Sequence, residues 1–528
     1  MFEFDPTLVH EWLCRSARRL PDKVALVCGE QRWTYESLDQ RTDHLAAALL
    51  DQGVRRQDRV AVLLDNSAET VISLYGILKA GGVFIILAGS LKGAKLRYIL
   101  KNSGANILIT HVSKAKVVQD ALGDDPGGRK VIWVGSSGRI PEEFTKSSLT
   151  WDGIFSNFAG EIEAGRKDSR LPRCIDVDLA TLIYTSGSTG EPKGVMSTHH
   201  NMISAARSII QYVGNVEDDI ILDVLPLSFD YGLYQVIMAF MFGGTVVLEK
   251  SILYFHTILE RIAQEKVTAV PIVPTIVAIL LKLQDLTQYD FSSLRYMTNT
   301  GAALPVEHIR KLRGMFPQVT MISMFGLTEC KRVSYLPPKE LDRIPSSVGI
   351  AMPNCEVFVV DEDGNEVPPG ETGELIIRGS NVMQGYWGDP EITARTYRDG
   401  QYPSGRILYS GDYFRRDEQG YLYFLGRKDD MIKSKGERIS PKEVENNISA
   451  MEGVAEVAVL GLPDEIFGQA IKAYIVPVPD VELAEKQVLK YCMANMETFM
   501  VPKYIEFMDS LPKTPNGKID KKQLKSRG

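Results

Sequence analysis

Short apolar runs alternate with helical periods along most of this chain, and that alternation restricts its fold more than any other feature. Val24–Cys28, Arg59–Leu64 and Val83–Leu87 read as strands, with helix patterns over Tyr35–Gln52 and Glu69–Ala80. Strands divided in this way pair in parallel through crossover helices. The pattern returns at Ile220–Leu225, Gly244–Leu248, Val267–Val270 and Val319–Met324, with a helix over Tyr234–Phe242. Ahead of it, Leu8, Val9, Trp12, Leu13 and Ala17 mark an amphipathic helix, and Gly29-Glu-Gln separates two hairpin strands ending at Cys28 and starting at Arg32. Near residue 355 the character changes to short strands split by turns: Val357–Val360, Asp363-Gly364, Glu374–Arg378. From about residue 430 a last helix-strand-helix unit has the size of a separate small domain.

The densest chemistry lies in Tyr184-Thr-Ser-Gly-Ser-Thr-Gly-Glu-Pro-Lys-Gly194, directly after the apolar Ala180–Ile183. A strand entering a loop of Gly, Ser and Thr turns backbone N–H groups and hydroxyls toward one point, which suits phosphate oxygens. Thr185, Ser186, Gly187, Ser188, Thr189 and Gly190 form that cradle, and Lys193 adds a full positive charge. The spacing is not Walker-like, since Gly187 and Gly190 are three apart and Lys193 precedes Gly194. A plain Gly/Ser linker is the alternative. The preceding strand and the apolar return at Val195-Met196 argue against it.

Bulk properties narrow the class. A chain of 528 residues exceeds one ordinary core. A net charge of −7 gives no reason to expect nucleic acid or an anionic membrane as partner. Six scattered cysteines without a CxxC pair fit a reducing compartment and offer no metal spacing. The acidic N-terminus does not read as a signal peptide, and the greasiest run, Ala269–Leu281, carries two prolines and is too short to cross a bilayer. A soluble cytoplasmic protein is expected.

The loop resembles the phosphate loop of the adenylate-forming superfamily: acyl-CoA synthetases, peptide-synthetase adenylation domains and luciferases. Further blocks follow in that family's order. Met324-Phe-Gly-Leu-Thr-Glu329 resembles the block in which an aromatic ring lies on adenine, a threonine nears phosphate and a glutamate holds Mg²⁺, giving Met324, Phe325, Gly326, Thr328 and Glu329. The chemistry is apt, because a hard cation takes carboxylate oxygens and a planar base takes a flat apolar face. Tyrosine is more usual at Phe325, so only stacking survives there. Asn299-Thr-Gly-Ala-Ala-Leu304 resembles the small-residue turn along adenine, implying Gly301, Ala302 and Ala303. Tyr409-Ser-Gly-Asp-Tyr-Phe414 puts Asp412 at the ribose position; Arg427 matches the arginine on the same sugar, and Phe424 joins the nucleotide set. Asp429 matches the hinge, with Lys433, Lys435 and Gly436 following. Leu511-Pro-Lys-Thr-Pro-Asn-Gly-Lys-Ile-Asp520 brings Lys518 to the position of the lysine that reaches carboxylate and α-phosphate. A mobile ammonium is what a crowded, anionic phosphorus needs as charge builds. The resemblance thus implies catalysis by Lys518, Thr185, Lys193 and Glu329, with ATP and Mg²⁺.

The acid pocket is expected around Phe229, Asp230, Tyr231 and Tyr234, with Gly301 and Arg332. Asp230 stands where amino-acid-activating relatives hold the substrate ammonium; a buried carboxylate needs such a counter-charge. Arg332, three residues beyond Glu329, would otherwise pair with Asp230 and open the pocket to a plain acid. Stand-alone prolyl-carrier-protein adenylation enzymes are the nearest resemblance, which makes L-proline the first expected substrate. The alternative is an acyl-CoA ligase for a non-amino acid, to which Glu437-Arg-Ile-Ser-Pro-Lys-Glu-Val-Glu445 is closer. The thiol acceptor is then either the phosphopantetheine of a carrier protein supplied in trans or coenzyme A.

The expected fold is α/β. Residues 1–428 form a large N-terminal core of βαβ subdomains with a β-rich lobe, and residues 429–528 a small mobile α+β domain that carries Lys518.

Overall fold

The computed structural model describes residues 5–123, 128–142, 144, 148–157, 171–186, 191–252, 254–283, 285–302, 304–400, 405–434, 437–464, 468–514 and 518–526. Gly187–Gly190, Ala303, Lys435, Gly436 and the turn 515–517 lie outside them, as do the side chains of Ser186, Asp429 and Lys433.

Two sheets dominate the large domain. A seven-stranded sheet holds Arg59–Leu63 and Val83–Ile86 at its centre and ends on the antiparallel pair Leu179–Ser186 and Pro192–Thr198. A nine-stranded sheet runs through Ile220–Asp223, Ala269–Ile272, Tyr296–Asn299 and Thr320–Phe325, all in parallel register. The expected alternation is realised, and crossover helices supply the connections.

Helices Ala68–Lys79 and Asp230–Phe242 lie between the sheets. Each is buried along all but one of its residues, and together with both sheets they form one core. A helix apolar on every side has no solvent face to offer, which is why these two occupy the middle layer. The second begins at Asp230, four residues before the periodicity suggests. Gly232 masks the start, and a Cβ there would lie 2.7 Å from the carbonyl oxygens of Leu225 and Pro226.

Beyond residue 355 the β-rich lobe is an antiparallel sheet of Cys355–Val360, Thr372–Gly379, Tyr397–Asp399, Arg406–Arg416 and Leu422–Arg427. The small domain starts with two strands, Ile432–Ser434 and Glu437–Ile439, rather than a helix. It packs helices Pro441–Ser449 and Glu485–Asn495 on the long pair Val454–Asp464 and Gly468–Pro477, around a core of its own. No helix among the described residues is long and apolar enough to cross a membrane.

One polar tie crosses the apolar middle. The ammonium of Lys79, 5% exposed, donates to Asp39 and Asp43 at 2.6 Å each and joins helix Tyr35–Asp51 to helix Ala68–Lys79. Lys79→Met strands two part-buried carboxylates and should cost about 3 kcal/mol. Urea unfolding measures it, and Asp39→Asn with Asp43→Asn should recover most of the loss. A midpoint unmoved by Lys79→Met would contradict the buried tie.

Candidate active site

The hairpin Leu179–Ser186/Pro192–Thr198 sets Thr185 opposite Lys193 and Ser186 opposite Pro192. The strands therefore deliver both ends of the Gly/Ser/Thr loop to the same sheet edge. Segment 384–387 docks on the returning strand: Gln384 N–H donates to Met196 O, Met196 N–H to Gly385 O, and Trp387 N–H to Gly194 O. This contact sets Tyr386 beside the returning strand, opposite Val195. The Lys193 ammonium sits 5.8 Å from the Tyr386 ring centre, and the Tyr386 hydroxyl donates to Glu329 Oε1 at 2.7 Å. Burial and the Glu329 carboxylate together push the Tyr386 phenol up, so it stays a donor. Sequence reasoning missed Tyr386, which stands 57 residues beyond its partner in a segment with no motif.

Strand Thr320–Phe325 carries the next group. The Phe325 ring stacks on Phe424 at a centroid distance of 5.8 Å and meets Phe414 edge-on at 5.0 Å, forming an apolar aromatic cluster. Met324 is buried and its sulfur accepts from the Tyr212 hydroxyl. Gly326 is required by close approach, because a Cβ there would lie 2.3 Å from Lys331 O. Thr328 and Glu329 follow in the turn, which Met383 N–H holds through Glu329 O.

In the β-rich lobe, Asp412 and Arg427 face each other across paired strands at 2.9 Å. Burial pushes the Asp412 carboxyl up to about 6, against the opposing pull of Arg427 and Lys518. The carboxylate is thus short of donors where the ribose-binding aspartate is expected.

A cavity of about 470 Å³ joins these parts across the two domains. Gly301, Ala302, Phe424 and Arg427 line it from the large domain, and Lys442 and Lys518 from the small one. Lys518 is exposed, at the far end of a short bridge between Lys513 and Ile519. Gly301 and Ala302 of the expected adenine turn, Arg427 of the expected ribose pair and the terminal Lys518 therefore share one space.

The acid end differs from expectation in one point. Asp230 is not paired with Arg332; its counter-ion is Lys331, at 3.4 Å. Lys331 has φ +71°, a left-handed turn that swings its side chain inward to complete burial, with Nζ 3.7 Å from the Tyr234 ring centre. Burial lowers this ammonium to about 8, with Asp230 acting against it. Arg332 points elsewhere: its Cζ lies 4.9 Å from the Tyr231 ring centre, and it donates to Lys331 O. The Tyr231 hydroxyl is tied to Thr298, and the Phe229 ring lies against Gly301. Tyr231 and Tyr234 are both fully buried and narrow this end.

Comparison with known proteins agrees with the fold. The chain matches the AMP-binding enzyme family over residues 13–387 and the AMP-binding enzyme C-terminal domain over residues 443–518. It is similar to feruloyl-CoA synthase of Amycolatopsis sp, 33% identical across 98% of both chains. Among solved structures it is similar to the anthranilate CoA ligase AuaEII in complex with anthranoyl-AMP (TM-score 0.88, 27% identity, 99% of this chain and 98% of that one). ATP-bound MatB from Rhodopseudomonas palustris is also similar (TM-score 0.84, 28% identity, 98% of each chain). The chain belongs to the AMP-binding enzyme family and is an AMP-forming ligase that uses ATP to activate a carboxylic acid as its acyl-adenylate.

Proposed function

We propose that this protein is an acyl-CoA ligase acting on a carboxylic acid without an amino group. The observation that carries the reading is the occupied Asp230. Lys331 already neutralises it, so an α-ammonium finds no free carboxylate there. That removes the main support for L-proline, while relatives named as CoA ligases favour coenzyme A over a carrier protein as the thiol acceptor.

In the first half-reaction a carboxylate oxygen attacks the α-phosphorus of ATP and pyrophosphate leaves. Phe325 would stack on adenine beside Gly301 and Ala302, and Asp412 with Arg427 would hold the ribose hydroxyls. Thr185, Lys193 and Gly187–Gly190 would take the phosphates. Glu329 fits Mg²⁺, which commonly binds one or two carboxylates together with substrate phosphates; Tyr386 already orients one of its oxygens. Such an ion would neutralise phosphate charge. Lys518, facing the shared cavity, would stabilise charge as the new P–O bond forms. Rotation of residues 429–528 about Asp429 would then withdraw Lys518 and admit the thiol. Its sulfur attacks the acyl carbonyl and AMP leaves.

Three outcomes test these roles. Lys518→Ala should lower ATP–pyrophosphate exchange by on the order of a hundredfold while sparing thioester formation from preformed acyl-adenylate. Near-normal exchange would remove Lys518 from the first step. Tyr386→Phe frees Glu329 and should raise the KM for Mg·ATP about tenfold, the lower end of the scale for one lost hydrogen bond to a charged group. Because Asp412 accepts from both ribose hydroxyls most strongly when ionised, and burial pushes its carboxyl up to about 6, the KM for ATP should climb as pH falls below that value. The rise approaches tenfold per pH unit, and Asp412→Asn should give a high, flat profile.

A further inference from the structure

The charge around the acid end does not balance. Lys331 and Arg332 bring two cations, 0% and 3% exposed, against one carboxylate, Asp230. The other acids nearby do not correct this. Asp223 is fully buried, and that burial pushes its carboxyl well up and disfavours its charged form, while Asp219 is engaged by Arg295. Hydrogen bonding is unfinished too. The Arg332 Nε–H and the Tyr234 hydroxyl are buried with no partner among the described residues, and Lys331 Nζ has only its ion pair with Asp230. The rings of Tyr231 and Tyr234 lie against the two cations but accept no directed bond from them. Buried donors of this kind cost free energy until an acceptor arrives. Beside Arg332, a cavity of about 10 Å³ is walled by Tyr231, Thr298 and Arg332 and by the apolar Ile209, Val213 and Met238, room for about one oxygen-sized group.

We infer that the acid taken by this enzyme is compact and carries, beyond its reacting carboxylate, a second oxygen acceptor that seats against Arg332 and Lys331. That oxygen belongs to a second carboxylate, a carbonyl or a hydroxyl. The inference rests on the acid-activating reading above and deepens it. An ammonium-bearing acid meets the same end as a third positive charge against one carboxylate and is disfavoured. A plain hydrocarbon acid leaves the donors unpaired, and sites built to bond a substrate oxygen discriminate strongly against analogues that lack it.

The test is ATP–pyrophosphate exchange by the intact protein with a panel of acids matched in length. One set has plain alkyl or aryl ends, a second a distal carboxylate, a third a distal carbonyl or hydroxyl, and proline stands alone. The expected result is a kcat/KM for the second or third set at least about tenfold above its plain counterparts, with proline lowest. Preference for the second set identifies an anionic end, and preference for the third a neutral one. Arg332→Leu should shrink that preference to about threefold or less through the KM for the acid, with the KM for ATP unmoved; Arg332→Lys should fall between the two. Equal or better use of plain acids, or preference for proline, overturns the inference while leaving adenylation intact. Should Arg332→Leu fail to fold, the wild-type panel alone decides. Absence of exchange with every acid overturns the adenylation reading, and this inference with it.

Discussion

The buried pair of Lys331 and Asp230 is the contact on which the rest of the site depends. It ties the turn after strand Thr320–Phe325 to the first residue of the central helix Asp230–Phe242. Asn381 clamps the same turn from the β-rich lobe, donating to Cys330 O and Arg332 O. Thr328 and Glu329 lie directly before these two anchors in the chain, and Phe325 just before them. A buried ion pair adds little net stability, since desolvation offsets most of the attraction. Its value here is positional. Either partner alone would be an uncompensated charge in the core, so the turn has one register.

From that turn the nucleotide and acid ends diverge. Toward the nucleotide, Glu329 meets Tyr386, and Tyr386 meets Lys193, so a carboxylate, a phenol and an ammonium are linked across three separate stretches of chain. Toward the acid, Lys331 and Arg332 meet aromatic rings. Across the domain boundary the character of the site changes. Lys518 is solvent-exposed in the small domain, whereas Asp412 and Arg427 are fixed by strand pairing. The proposed role of Lys518, needed in one half-reaction and obstructive in the other, would suit a part able to move away.

The parallel sheets were legible because strand and helix periods differ, and seven apolar runs in alternation with helices leave few topologies. The blocks proposed to hold nucleotide could be marked in the sequence because each is local: Phe325 to Glu329, Gly301-Ala302 and Asp412 all lie within a few residues of their motif. Failures came where position depends on distant chain. Tyr386 reaches Glu329 only because segment 384–387 docks on the phosphate hairpin. Lys331 and Arg332 are adjacent cations, and which one turns toward Asp230 depends on a left-handed backbone at Lys331, a conformation that lysine seldom adopts and that composition does not signal. The late helix start has a similar origin, since Gly232 breaks a periodicity that close backbone approach requires it to break.

That single left-handed residue also bears on selectivity. Were Arg332 the partner of Asp230, its planar fork would satisfy both carboxylate oxygens, and the end of the pocket would be neutral and closed. With Lys331 inward instead, Asp230 is consumed by a point charge, and the guanidinium is left facing Tyr231 with an unused donor. Aromatic faces make such a cation tolerable in the absence of substrate, because the ring quadrupole attracts positive charge without needing a proton acceptor. They leave its directional bonding free. A site in that condition is stable enough to fold and still incomplete, so the group that completes it gains affinity from donors that were already dehydrated when it arrived.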